Sequence, residues 1–186
     1  MENLSQSHRI LFFNTLAFMV CFACWTLNGV LVTFLNDRGI FEWSVVEIGW
    51  LLGIPILTGS IMRLPMGILT DKFGGKPVFS CLLILSSIPL YLLPFADSFW
   101  TFAILSFLFG MVGTSFAIGV GYTSVYYPKE WQGRALGIFG MGSSGAALTT
   151  FLVPTLLTHF SESDPENGWK WIPVIYASVL LAMGIV

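Results

Sequence analysis

The chain has 186 residues, 55% of them apolar and only 10% charged, with a mean hydropathy of +0.82. Soluble domains carry about 25% charge, so this composition belongs to a membrane protein. The formal net charge of −2 leaves no basic stripe to neutralise phosphates, which excludes a nucleic-acid partner.

Crossing the hydrocarbon as a helix takes about 20 apolar residues. Six runs qualify: 10–35, 45–70, 77–95, 100–122, 135–159 and 171–186. The first follows Arg9 and is longer than a signal-peptide core, so it reads as an uncleaved span that also targets the chain. Within it, Cys21 and Cys24 share a helical face. A redox or metal pair needs a wet site that stabilises thiolates, so these two, like Cys81 in span three, read as packing residues.

Span two contains Arg63, eight residues before Asp71. At about 1.5 Å per residue this is roughly 12 Å of helix, and half the hydrocarbon core is about 15 Å. Arg63 therefore falls near the midplane, where a charge costs about 2.5–3.5 kcal/mol even on the mildest scale. No acid lies at that depth, since Glu47 begins the span and the others sit in loops or termini. Two readings stay open: an arginine tied to carbonyls or to an acid outside this sequence, or a cation that awaits an anionic substrate. The second is favoured. Pro65 frees the carbonyl of Ile61, and Gly59 and Gly67, one turn either side on the same face, are expected to leave room for a ligand. Arginine's fork also suits a flat oxyanion better than a point charge does.

Spans four and five are rich in glycine, which lets helices approach closely in lipid. Gly137, Gly140, Ser144 and Ala147 fall near one face of span five, for packing or for lining a pathway. Span six is short and stops without a polar flank, so it reads as a helix cut off, the sequence being the first part of a longer protein.

Basic residues set the orientation. Arg9, Lys72, Lys76, Lys129 and Arg134 lie on one side, against Arg38 and Lys170 on the other. By the positive-inside rule the N-terminus is cytoplasmic and the chain a multi-pass protein of the cell membrane. Trp100, Trp131, Trp169 and Trp171 lie near span ends, as interfacial aromatics do. A haem subunit needs mid-membrane histidines, and His8 and His159 are at the wrong depth. No lysine lies inside a span to hold retinal, and no nucleophile–base pair suggests an enzyme. No metal or cofactor is expected.

The string GILTDKFGGK, with Gly67, Asp71, Lys72, Gly74 and Lys76, resembles the signature loop between helices two and three of the major facilitator superfamily. One position departs: Gly75 stands where a basic residue is common. The resemblance implies that Asp71 and Lys72 are gate residues rather than substrate ligands.

Taken together, RLPMGILTDKFGGK, GTSFAIGVGYTSVYYPKEWQGRALGIFGMGSSGAA and CFACW are similar to the nitrate/nitrite porters of that superfamily, over nearly the whole chain. The resemblance implies an all-α membrane fold: the N-terminal six-helix half of a twelve-helix transporter, built as two three-helix inverted repeats, its last helix truncated. It implies a secondary transporter of nitrate or nitrite that works by alternating access. Arg63 would bind the anion, and Phe22 and Phe116 would pack on it, their rings giving shape and dispersion rather than charge. The helix-five signature Gly-Asn-x-Gly is here Gly142-Ser143-Ser144-Gly145, and Ser143 is a shorter donor, which bears on nitrate-versus-nitrite preference. The implied partners are the anion, the bilayer and a second six-helix half with its own arginine. With no mid-membrane carboxylate in these residues, exchange is favoured over proton symport. The alternatives are another small anion such as a monocarboxylate, or a non-transporting sensor of the same fold.

Overall fold

A computed structural model describes residues 4–186. Among them are six helical spans long and apolar enough to cross a membrane: Gln6–Asp37, Val45–Phe73, Gly75–Phe95, Phe99–Val125, Lys129–Ser163 and Gly168–Ile185. The regular segments are α1 (Leu4–Asp37), α2 (Val45–Phe73), α3 (Gly75–Leu92), α4 (Phe99–Phe109), α5 (Ser115–Val125), α6 (Lys129–Gly140), α7 (Ser144–Ser163) and α8 (Trp171–Ile185). Span four comprises α4 and α5, joined by a tighter turn at Gly110–Thr114, and span five comprises α6 and α7, joined at Met141–Ser143. Several helices outrun their apolar stretches, most clearly at Lys129–Arg134. Hydropathy marks the hydrocarbon crossing, whereas backbone hydrogen bonding continues into the interface.

Local chemistry sets the ends of α2. Ser44 Oγ accepts from the Glu47 N–H, while Glu47 Oε2 accepts from the Ser44 N–H at 2.8 Å, a reciprocal cap that satisfies two orphan donors. At the other end Gly74 turns to φ +87°, a conformation that favours glycine, and its N–H donates to Thr70 O at 2.9 Å.

Span one packs on span five, span two on span four, and span three on span six. Exchanging spans one, two and three for four, five and six maps this pattern onto itself. Two three-helix repeats related by a pseudo-twofold axis require that.

The seams are made by small residues. Side chains at Gly142 or Gly145 would collide with α1: a Cβ on Gly142 would fall 2.7 Å from Thr15 O and from Phe18 Cδ1, and one on Gly145 would fall on Met19 O. Gly59 likewise rests on Gly110 and Gly113, with Gly110 O at 3.2 Å from where a Cβ would stand. Gly59 therefore seats span four and leaves no room for a ligand, contrary to the sequence expectation. The face of Gly137, Gly140, Ser144 and Ala147 is not a packed seam within the described residues, since neither glycine meets anything within 4 Å. Small residues permit close helix contact, but which of them are used depends on the register of neighbouring spans.

Buried polar groups pin these contacts. Pro55 has no N–H to give to Leu51 O, and Asn28 Nδ2 donates there instead at 2.8 Å, while Ser106 Oγ donates to Asn28 Oδ1 at 2.9 Å. Asn14 Nδ2 donates to Gly119 O at 3.0 Å and to Thr123 Oγ1 at 2.6 Å. Thr149 Oγ1 donates to Ala23 O at 3.0 Å. Cys21 and Cys24 are buried free thiols in this core, and Cys81 is exposed. Trp100, Trp131 and Trp171 are exposed near span ends, but Trp169 is buried, edge-on to Phe41 at 6.4 Å. At the start of span six it packs against Phe41 of the segment between spans one and two instead of standing at the surface.

Candidate functional site

Two close contacts register spans one, two and four. Gly59 touches Gly113, and a Cβ on Gly113 would lie 3.6 Å from the Trp25 indole. Spans two and four run in the same direction and span one opposes them. From this shared level, Arg63 lies one turn along span two, Phe116 one turn along span four, and Phe22 one turn back along span one. Each step is about 4.5–6 Å, so all three reach a similar depth.

A buried ring organises this layer. Phe18 is 1% exposed and contacts Phe22 at 4.8 Å, Phe116 at 5.8 Å and Phe139 at 4.6 Å, ring centre to ring centre. Phe22 also meets Trp25 edge-on at 5.4 Å. Phe116 keeps 46% of its surface exposed and Phe22 is half-buried. Phe18 and Trp25 thus support the two rings singled out by sequence, a role that a chain with 17 phenylalanines does not advertise.

Arg63 is exposed and, among the described residues, makes no hydrogen bond or ion pair. It lines a shallow trough of about 510 Å3 with Ser60, Leu64, Gly67, Ile68 and Asp71. Nothing lies within 4 Å of a Cβ built on Gly67, so the trough runs unobstructed from the arginine to Asp71. Substrate-site and gate candidates, separate in the sequence reading, therefore share one face of α2.

Ser143 is exposed at the tight turn that opens α7, in the stretch packed against Thr15–Met19. Gly142 is buried with its α-carbon turned into span one. Its structural role is helix contact, not an open ligand surface.

The loop after α2 explains its own departure from the usual pattern. A Cβ on Gly75 would fall on the ring of Tyr122, so no side chain fits there. Asp71 and Lys72 are exposed, with Lys72 Nζ over the Phe73 ring at 5.3 Å. Lys76 Nζ donates to Val186 O at 3.4 Å.

Residues 13–186 match the model of the Major Facilitator Superfamily. The chain belongs to that superfamily. Within it the similarity is to nitrate and nitrite porters. A Thermus thermophilus protein named as a probable nitrate/nitrite antiporter is 40% identical, over 96% of this chain and 41% of its own length. A Bacillus subtilis protein named as a nitrite extrusion protein is 32% identical, over 97% and 43%. A probable nitrate transporter of Staphylococcus carnosus is 31% identical, over 91% and 43%. The chain thus spans less than half the length of these relatives. As a major facilitator protein with six apolar spans, it is a multi-pass membrane protein.

Proposed function

We propose that the protein acts in secondary transport of nitrate and/or nitrite across the cell membrane, with the anion held near the midplane by Arg63. The single observation that carries this reading is a guanidinium deep in α2 that has no hydrogen-bond or ionic partner among the described residues, level with two accessible phenylalanine rings. A cation so placed is stabilised by a charged visitor more than by lipid, and its parallel donors match a planar oxyanion. Phe22 and Phe116 restrict that visitor to a flat shape, and Ser143 offers one further hydroxyl donor.

Release requires the site to open to either side in turn. Six further spans, supplying a second cationic wall, would rock against these six about the bound anion. The trough from Arg63 to Asp71 then serves as the route to the side bearing Lys72 and Lys76, which the distribution of basic residues makes cytoplasmic. Asp71 and Lys72 would lock that side shut in one state. The described spans offer no mid-depth carboxylate as a proton carrier, which favours exchange of nitrate for nitrite.

Reconstituting the full-length protein in liposomes tests the reading. Nitrite-loaded vesicles are expected to take up nitrate, and unlabelled nitrate but not a monocarboxylate should compete. Vesicles that take up no nitrate, or whose uptake a monocarboxylate suppresses as strongly as unlabelled nitrate does, would overturn it.

A further inference from the structure

A second cavity, of about 470 Å3, lies between spans one, three, four and six, and none of the proposed nitrate ligands lines it. Two cations enter it from different spans, Arg9 of α1 and Lys76 in the first turn of α3. The Arg9 guanidinium lies over the Phe13 ring at 5.8 Å, and Phe13 lines the same cavity, so that charge is held at the wall. Apart from the contact of Lys76 with Val186 O, neither cation has a hydrogen-bond or ionic partner among the described residues. No Asp or Glu side chain is among the described residues that line the cavity.

The depth of the cavity and its lining indicate what fills it. Arg9 precedes the apolar run of span one and Lys76 that of span three, so both stand at headgroup level. Gln6, Ser80, Tyr122 and Tyr126 add neutral donors. Phe79 and Leu83 make the wall apolar towards the bilayer interior. Two cations from separate helices, with no acidic side chain facing them among the described residues, call for an oxyanion, and the cavity is far larger than nitrate needs. Basic pockets between transmembrane helices suit anionic lipid headgroups.

We propose that this cavity binds the phosphodiester headgroup of an anionic phospholipid. The phosphate sits between Arg9 and Lys76, and the hydroxyls of a glycerol head reach the neutral polar groups around them. A filled cavity neutralises both charges and fastens the start of span one to the start of span three.

The test uses the full-length protein its gene encodes, purified in detergent and titrated separately with phosphatidylglycerol, phosphatidylcholine and inorganic phosphate, with adducts counted by native mass spectrometry. Phosphatidylglycerol is expected to bind at least tenfold more tightly than phosphatidylcholine. The double variant R9Q/K76Q should lose that preference, and R9K/K76R, which keeps both charges, should retain it. Equal binding of the two lipids, or an undiminished preference in R9Q/K76Q, would overturn the proposal. Binding of inorganic phosphate that R9Q/K76Q abolishes, without any lipid preference, would assign the site to a free phosphate and overturn the lipid assignment. The lipid-free thermal midpoint of R9Q/K76Q is expected to match that of the unaltered protein. A fall in that midpoint with lipid preference lost in both double variants would mark the two residues as structural and also overturn the assignment.

Discussion

Asn28 Nδ2 donates to Leu51 O at 2.8 Å, the one α2 carbonyl that Pro55 leaves without its helical donor. Ser106 Oγ holds the other end of the same amide at 2.9 Å, so one side chain joins spans one, two and four. Interhelical hydrogen bonds in membranes are worth about 0.6–1.7 kcal/mol. Asn28→Ala is expected to lower stability by about 1–2 kcal/mol, since it also strands buried partners. Pro55→Ala restores an N–H for Leu51 O, so the loss should shrink in that background. A double-mutant cycle read by thermal unfolding checks this, and additive effects would contradict it.

Gly75 lies under the Tyr122 ring with no space for a Cβ. Installing the basic residue common in this loop, by Gly75→Lys, is therefore expected to destabilise the protein, even though it completes the pattern. Overpacking of this kind costs about 1–3 kcal/mol. Adding Tyr122→Ala should recover much of the loss. A Gly75→Lys protein as stable as the unaltered one would show that α3 starts elsewhere.

The span-one/span-five seam makes a sharper contrast. Gly145→Ala places a methyl group on Met19 O and should cost about 2 kcal/mol or more, because backbone rather than a flexible side-chain end blocks it. The same change at Gly137, which meets nothing within 4 Å, should stay within about 0.5 kcal/mol. Equal effects at the two positions would place the seam on the wrong face of span five.

Ser143 is exposed where α7 begins, and its hydroxyl reaches less far than an amide would. Ser143→Asn is expected to shift the ratio of nitrate to nitrite inhibition constants several-fold, because the two anions present different oxygen patterns to a longer donor. Competition curves measured in liposomes decide the matter. If the ratio stays fixed, Ser143 does not touch the substrate.

What the sequence reveals here is mainly depth and chemistry. Arg63 stands out because a charge in an apolar run is conspicuous, and GILTDKFGGK because its special residues are contiguous. Neighbours across helices are not written in this way. Gly59 and Gly67 look equivalent around Arg63, yet only Gly67 is open, because Gly110 and Gly113 of span four abut the helix at the level of Gly59. Phe18 is indistinguishable in one dimension from the rings it supports, and Trp169 looks interfacial although it is buried against Phe41. The glycine at 75 reads as a departure until the Tyr122 ring is seen above it.

Nitrate uptake by Arg63→Lys, measured in liposomes alongside the unaltered protein at matched insertion, tests the anion site most directly. Lysine keeps the charge at the same depth but offers a point donor in place of a planar fork. If Arg63 grips a flat oxyanion, uptake falls at least tenfold while folding and insertion persist. Uptake within twofold of the unaltered protein would contradict it.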